Sequence, residues 1–401
     1  MNTSTAQLQV LVIGSGFAGA TLAVRLNGRG RSRVAVTVVN PRLTFVNRLR
    51  MHQVATGQVV PAQSLQRLLG PGIRLIQGSV TDLDPSTGWA TVDTAQGPER
   101  LHFDRVVFAS GSRTQTPELP GAHLLYGVGD VDQAHRLRAA LRRLPEGRRV
   151  SVIGSGFTGL ETVTEIAEQR PDLQLSLISG TAAGAWFSAP AAHRVDSALS
   201  ELRIAEHRAR VVGIDPGQLA LANGQHLDSD LSIWCGGFSA YPLAAHSGLA
   251  VDDRGAVLTD PTLRSISHER VLAVGDAGHT VRPDGERYSM SCQFAFPSAA
   301  YAADLLRAEA LDLDVTGYRD FSLGFLARCL SLGRRRAVLQ RTNGADQASG
   351  WALTGRTAVA AKRLQVSALL ANISTERRFP GTMRWPAAPM GLDRSGHPVR
   401  D

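Results

Sequence analysis

The sequence predicts an α/β fold made of two parallel-sheet units, the first split around the second, with an α+β extension at the C-terminus. Three observations predict it. A strand, glycine turn, helix, strand pattern occurs twice, and a further apolar strand after the second copy, Val271-Leu272-Ala273-Val274, ends in Gly275-Asp276. The order of recognisable elements then stops near Val315, well short of the last residue. A length of 401 residues already exceeds what a single hydrophobic core usually fills.

The repeat carries most of the information. Val12-Ile13-Gly14-Ser15-Gly16-Phe17-Ala18-Gly19 recurs 140 residues later as Val152-Ile153-Gly154-Ser155-Gly156-Phe157-Thr158-Gly159, with seven of eight positions identical. Each copy follows an apolar strand, opens a helical pattern (Ala20 to Leu26, Leu160 to Ala167) and leads to a β-branched run (Val34 to Val39, Leu173 to Ile178). In such a unit the first glycine allows the tight turn and the second lets a pyrophosphate approach the backbone. The third lets helix and strand pack closely, and the helix N-terminus faces the phosphates. Two copies in the same context mark two dinucleotide sites.

The residue closing each second strand usually carries a carboxylate for the ribose hydroxyls. Counting by the same offset puts Asn40 there in the first copy and Gly180 in the second. Asn40 keeps a neutral donor and acceptor. Gly180 offers backbone alone, which leaves Ser179 or an arginine such as Arg194 to meet the ribose. The second site then takes a phosphorylated nicotinamide nucleotide, binds weakly or has lost the function, and the residues leave all three open.

Two further strand ends matter. Val106-Val107-Phe108 runs into the small-residue crossover Ala109-Ser110-Gly111-Ser112, and Asp276 stands where a carboxylate serves either sugar-type hydroxyls or a helix cap. Composition narrows the class. With 43% apolar and 19% charged residues the chain is not disordered. The net charge of +8 comes from arginines spread along the chain without a nucleic-acid-binding motif, so nucleotides or an anionic membrane face are expected as partners and nucleic acid is not. Cys235, Cys292 and Cys329 form no Cys-x-x-Cys or Cys-x4-Cys pair, which argues against a dithiol redox enzyme and for a reducing cytoplasm. No metal site, signal peptide or membrane span is expected.

Taken in order, these pieces resemble the two-dinucleotide-domain flavoproteins of the pyridine nucleotide-disulfide oxidoreductase fold, and within them the type II NADH:quinone oxidoreductases and apoptosis-inducing-factor-like oxidoreductases. The resemblance runs from Leu8 to Leu306 and includes Phe45 to Gly57, similar to the segment that passes the flavin ring in the family. It implies two Rossmann-like FAD/NAD(P)-binding domains. The FAD-binding domain comprises residues 1–113 and 255–315, the NAD(P)-type domain residues 114–254, and an interface or membrane-type extension residues 316–401. FAD would be held by Gly14, Gly16, Phe17, Ala18, Gly19, Asn40, Arg48, Ala109, Ser110, Gly111, Gly275, Asp276, Gln293 and Phe294. NADH or NADPH would be held by Gly154, Gly156, Phe157, Thr158, Gly159 and Ser179.

By the same resemblance Glu161 lies at the nicotinamide–flavin contact. With His52, whose ordinary pKa is near neutrality, and Gln293 it makes the set of catalytic candidates. The family's quinone reductases carry Ala-Gln-x-Ala-x-Gln beside the flavin. Here Cys292-Gln293-Phe294-Ala295-Phe296-Pro297 keeps the first glutamine and second alanine and lacks the last glutamine. Pro297 suits the first turn of a helix reaching Leu306. Cys292 suggests a thiol role like that of the related sulfide:quinone oxidoreductases, but these use a cysteine pair and the sequence shows no partner. A buried, inert thiol is expected, and Cys235 is expected in the core.

Arg48, Arg50 and His52 alternate, as a solvated face would or as cations approaching a reduced flavin would. Past Arg334-Arg335-Arg336 a β-like run, Ala337 to Gln340, and a turn at Asn343-Gly344 precede a helix from Arg356 to Ile373. Its stripe of Val359, Val366, Leu370 and Ile373, flanked by Lys362, Arg363, Arg377 and Arg378, suits packing on the flavin domain, a second subunit or an anionic membrane. The tail from Pro386 is expected to be poorly ordered. The functional expectation is an FAD-dependent oxidoreductase passing hydride from NAD(P)H through flavin to a quinone or related conjugated small molecule. The alternatives are a biosynthetic flavoenzyme acting on a small-molecule intermediate with a degenerate nicotinamide site, and a flavin-binding signalling or assembly protein with little turnover. A cytoplasmic location, peripheral contact with the inner face of the membrane and a homodimer complete the expectations.

Overall fold

Runs such as Val34-Ala35-Val36-Thr37-Val38-Val39 are apolar on both faces, the composition of a strand covered by helices on each side, and in the computed structural model they form one. The structure describes residues 7–315 and 318–386, so the tail beyond Pro386 lies outside the described residues. From the N-terminus, β1 (Leu8–Ile13) leads through the first glycine turn to α1 (Phe17–Gly30), β2 (Val34–Asn40) and the short α2 (Met51–Ala55). β3 (Ile73–Asp84), β4 (Trp89–Thr94), β5 (Gly97–His102), β6 (Arg105–Phe108) and β7 (Ser112–Thr114) follow. The second copy supplies β8 (Arg149–Ile153), α3 (Phe157–Gln169), β9 (Gln174–Ile178), β10 (Ile204–His207), β11 (Leu231–Trp234) and β12 (Phe238–Ala240). The chain then gives β13 (Val271–Ala273) and α4 (Cys292–Ala310). It ends in β14 (Ala327–Ser331), β15 (Ala337–Thr342), β16 (Ala348–Thr354) and α5 (Gly355–Arg378).

The first sheet has the order β13-β6-β1-β2-β3-β4-β5, parallel from β13 to β3 and antiparallel beyond. Strand β13 therefore returns to the first sheet after the second copy has been completed. The second sheet, β10-β9-β8-β11, is wholly parallel. β7 and β12 pair where the chain passes between the two sheets. In each sheet the order reverses beside the first strand of the unit, between β1 and β6 and between β8 and β11. Such a switch point leaves a crevice at the carboxyl ends of the strands.

Two expectations change. α4 starts at Cys292, where the Ser291 hydroxyl accepts from Phe294 N at 3.3 Å, so Pro297 falls inside the helix rather than in its first turn. Proline there removes one helical hydrogen bond. The neighbouring Ser298 hydroxyl ties the turn by donating to Phe294 O at 2.7 Å and accepting from Gly275 N at 3.0 Å. The C-terminal helix is also rotated from its expected stripe. Ala358, Ile373 and Glu376 are buried, Leu369 and Leu370 pack against the first core, and Val359 and Val366 are half-buried. The helix thus turns this face to α1 and the three-stranded sheet β14-β15-β16. Among the described residues no helix is long and apolar enough to cross a membrane.

Candidate functional site

Both glycine turns are built by contact. Gly14 has φ +96°, and a Cβ on Gly19 would fall 2.0 Å from Gly14 O. Gly154 has φ +110°, and a Cβ on Gly159 would fall 1.8 Å from Gly154 O. These positions admit only glycine. At the middle glycines, Gly16 and Gly156, a Cβ would meet nothing within 4 Å, so both turns present bare backbone to open space. That is the surface a pyrophosphate requires, and the chain's residues fit FAD and a nicotinamide dinucleotide there.

The ends of the second strands correct the sequence count. Gly14 N donates to Val39 O at 2.9 Å and Gly154 N to Ile178 O at 2.8 Å, so the equivalents are Asn40 and Ser179, not Asn40 and Gly180. Ile13 pairs with Val39 and Ile153 with Ile178, so the path from the glycine turn to the end of the second strand is one residue shorter in the second copy, and the constant offset fails there. Asn40 Oδ1 accepts from Ser15 N at 3.0 Å while its Nδ2 donates to Arg42 O at 2.7 Å. In the second copy Ser155 Oγ donates to Ser179 Oγ at 2.8 Å. Arg194 is exposed.

Around the first turn the crossover closes in. A Cβ on Gly14 would lie 2.6 Å from Ala109 O and 2.7 Å from Ser110 Cα. The Arg48 guanidinium donates to Ser112 O, and a Cβ on Gly111 would lie 3.4 Å from its Nη1. Ser112 Oγ in turn donates to Asp276 Oδ2 at 2.6 Å. Arg48, Gly111 and Asp276, far apart in sequence, thus meet. Phe17 packs edge-on to Phe45, with centroids 5.1 Å apart, and Phe296 lies 5.4 Å away. In the second copy Phe157 stands 4.3 Å from Trp186. Gln293 Nε2 donates to Ala327 O at 2.9 Å, which ties α4 to β14. The Phe294 ring stacks on Tyr288 in the core, so that side chain serves packing. Thr158 O accepts the Thr162 hydroxyl at 2.6 Å inside α3.

The alternating Arg48, Arg50 and His52 do not form a strand face. A single helical turn, Arg48–Arg50, leads into α2 and swings His52 inward. There the structure joins two catalytic candidates that the sequence shows apart. His52 Nδ1 lies 3.7 Å from Glu161 Oε2, with both side chains buried. Glu161 Oε1 accepts from Ser331 N at 3.1 Å, from Ser331 Oγ at 2.8 Å and from Lys362 Nζ at 3.0 Å. Lys362 Nζ also donates to Cys329 O at 2.8 Å. Burial pushes the His52 imidazole down to about 4, against the pull of Glu161, so it is neutral at neutral pH. Burial also opposes ionisation of Glu161, but Lys362, His52 and the Ser331 bonds outweigh it and hold the carboxyl below its usual range. Burial depresses Lys362, and Glu161 more than restores it. The result is a buried ion pair beside a neutral imidazole whose Nε2 has no hydrogen-bond partner among the described residues.

Against this geometry the comparisons with known proteins are direct. The model of the pyridine nucleotide-disulphide oxidoreductase family matches residues 8–299. The chain belongs to that family. It is an FAD-dependent NAD(P)H oxidoreductase. A NADH dehydrogenase-like protein of Mycobacterium tuberculosis is 28% identical over 82% of this chain and 87% of its own length. The demethylphylloquinone reductase NdbB of Synechocystis is 25% identical over 90% and 91%. Among solved structures, the sulfide:quinone oxidoreductase of Aquifex aeolicus matches with a TM-score of 0.78 at 14% identity, covering 98% of this chain and 100% of that one. NDH2 of Plasmodium falciparum in complex with NADH matches with a TM-score of 0.75 at 15% identity, covering 94% and 99%. These two likenesses concern the fold.

Within this family member the cysteines are held as thiols. Cys235 sits at the second crossover, where Ala109 sits at the first, and burial pushes its thiol up to about 12. Burial raises Cys329 to about 11 and also raises Cys292. Thiols of this kind are poor nucleophiles at neutral pH. Ser331 and Lys362 escaped the sequence reading. The available signal was a lysine in the row Ala358, Lys362, Gln365, Leu369, Ile373, whose spacing of three and four residues places it on the buried face.

A second buried acid gives a pH prediction. Glu165, one turn after Glu161, accepts from Gln58 Nε2, and burial pushes its carboxyl up to about 7 from 4.5. The unfolded chain releases this proton first, so the contribution of Glu165 to stability is full below pH 4.5 and lost as pH rises through 7. The His52 contribution is full above pH 6.5 and lost as pH falls through 4. Each amounts to about 3 kcal/mol, and the two oppose each other where the windows overlap. Thermal unfolding of the FAD-loaded protein between pH 4.5 and 6.5 is therefore expected to vary little. Glu165→Gln should lose stability towards acid and His52→Gln towards neutrality. Parallel profiles for all three proteins would contradict this assignment.

Proposed function

We propose that the chain passes electrons from NADH or NADPH through FAD to a quinone or related conjugated small molecule, with Glu161, Lys362 and His52 handling the accompanying protons. The observation that carries this reading is the buried Glu161–Lys362 pair against the neutral His52, at the meeting of α2, α3, β14 and α5. Lys362 Nζ donates to Cys329 O and Gln293 Nε2 to Ala327 O, so β14 joins the cluster to the start of α4. In this proposal FAD lies on residues 1–113 and 255–315, against Gly14 to Gly19, Arg48, the Ala109–Gly111 crossover and Asp276. The nicotinamide nucleotide lies on residues 114–254, against Gly154 to Gly159 and Ser179. FAD, when bound, accepts hydride from the nicotinamide and releases electrons to the acceptor.

The chain's own groups supply the rest. Arg48 sets a cation by the crossover, where it would stabilise negative charge developing on a reduced cofactor. Lys362 carries a proton into a largely buried site, and Glu161 balances its charge there. His52, neutral and without a partner at Nε2 among the described residues, can accept a proton once the charge beside it changes. The quinone reductases among the relatives support a quinone-like acceptor.

Anaerobic mixing with NADH and, separately, with NADPH tests the reading. At least one should bleach the flavin rapidly, and a quinone should restore the oxidised spectrum within the turnover time. Flavin that stays oxidised at millimolar concentrations of both donors would exclude the reductase reading.

A further inference from the structure

We propose that the second glycine turn selects a nicotinamide dinucleotide carrying a phosphate on the 2′-oxygen of its adenosine ribose, with Arg210 as the cation for that phosphate. The inference rests on the reading that this turn binds the nicotinamide nucleotide. Its starting point is the register at the end of β9. Ser179, not an acid, occupies the position where a carboxylate would pair with a free 2′-hydroxyl and repel a 2′-phosphate. Its hydroxyl is held by Ser155 at 2.8 Å and accepts from Thr181 N at 3.3 Å, so a small neutral group faces the ribose.

Gly180, one residue further, gives the second observation. A Cβ there would stand 3.3 Å from Cγ of Arg210, tighter than most Cβ contacts, and 4.0 Å from its Cδ, an ordinary contact. The glycine therefore makes room for the arginine's aliphatic stem beside Ser179. Arg210 reaches this place because β10 pairs with β9 in parallel and Ser179 N donates to His207 O at 3.1 Å. The loop after β10 buries Ala209 and leaves Arg208 and Arg210 exposed. Among the described residues Arg210 has no ion-pair partner, so its charge is available to a ligand. The nearby carboxylate, Glu206, is already engaged. It accepts from Ala183 N at 2.9 Å and lies 3.5 Å from Arg208 Nη2.

A neutral serine at the acid's position, a glycine that admits an arginine stem and an arginine without a carboxylate are the features that favour a phosphate over a hydroxyl. Adenosine 2′,5′-bisphosphate and AMP differ only in the 2′-phosphate, and their binding to the FAD-loaded protein can be measured by calorimetry without turnover. The bisphosphate is expected to bind roughly tenfold or more tightly, the worth of one charge-assisted contact. Arg210→Ala should erase the margin, Arg210→Lys should keep part of it, and Ser179→Asp should reverse it in favour of AMP. Equal affinities, tighter AMP binding, or a margin unchanged in Arg210→Ala would overturn the proposal while leaving the nicotinamide site in place. Failure of both nucleotides to bind would overturn the nucleotide reading of this turn as well.

Discussion

Glu161→Gln is expected to cut steady-state turnover about 10²–10⁴-fold, the range associated with a positioned acid or base. The carboxamide keeps the volume of the side chain and can still accept from Ser331 N and Oγ, which now bond Oε1 at 3.1 and 2.8 Å. What it removes is the charge that keeps Lys362 protonated in a buried place. Lys362 then has a reason to lose its proton, since an unpaired buried ammonium is strongly disfavoured. Lys362→Met breaks the same pair from the other side. It leaves Glu161 facing burial without its main counter-charge, so the carboxyl should titrate well above its present range. Either single change removes one partner of a buried pair, which costs about 3–5 kcal/mol of stability, so thermal unfolding and FAD content must be followed alongside.

Half-reactions separate chemistry from damage. If the cluster handles protons for the acceptor, flavin reduction by the nicotinamide should stay near the wild-type rate and reoxidation by quinone should slow. The pH profile of reoxidation should also shift in opposite directions in the two variants. Equal slowing of both half-reactions, or slowing only in proportion to lost FAD, would remove Glu161 and Lys362 from the proton chemistry.

What the sequence shows of this site follows from how local each constraint is. Gly19 and Gly159 answer to the carbonyls of Gly14 and Gly154 within their own turns, in contacts a Cβ would close to about 2 Å, and Gly14 and Gly154 turn with φ of +96° and +110°. A local requirement of that kind leaves its mark on the sequence. Asp276 and Ala109-Ser110-Gly111 are legible for a related reason, because each ends a strand of fixed register beside the turn. Ser179 is misread by one position because a path from turn to strand end that is one residue shorter in the second copy changes nothing in the motif itself. The meeting of His52, Glu161, Ser331 and Lys362 is harder still. Four elements bring these side chains together, and each taken alone has an ordinary surface explanation. Lys362 looks like the flank of a basic amphipathic helix until α5 is rotated to bury Ala358, Ile373 and Glu376.

The same rotation leads to the second large effect, since it drives Glu376 into the first core. Glu376 is fully buried and accepts four donors: Arg25 Nη1 at 2.8 Å, Gly381 N, Thr382 Oγ1 at 3.1 Å and Met383 N at 2.8 Å. It thereby fastens the chain after α5 to α1. Arg25, itself 4% exposed, also donates to Asp304 through Nε at 3.0 Å and Nη2 at 2.7 Å, and so links α1, α4 and α5.

Arg25→Ala strands a buried carboxylate and is expected to cost about 3–5 kcal/mol, enough to lower the thermal midpoint by several degrees and to open the segment after Arg378 to proteolysis. Glu376→Gln should cost less, because the amide oxygen still accepts and only its NH₂ group opposes the surrounding donors. Joint replacement, Arg25→Met with Glu376→Leu, discriminates between charge and packing. Asp304 keeps Arg29, whose Nη1 donates to it at 2.7 Å, so no acid is left bare. The double variant should then recover much of the stability lost in Arg25→Ala, as apolar replacements of buried ion pairs can. The N–H groups of Gly381 and Met383 lose their acceptor in that variant, so recovery of the midpoint with continued proteolysis after Arg378 is the combined outcome expected. A double variant no more stable than Arg25→Ala would instead mean that the four bonds to Glu376, rather than the unpaired charge, hold the helix in place.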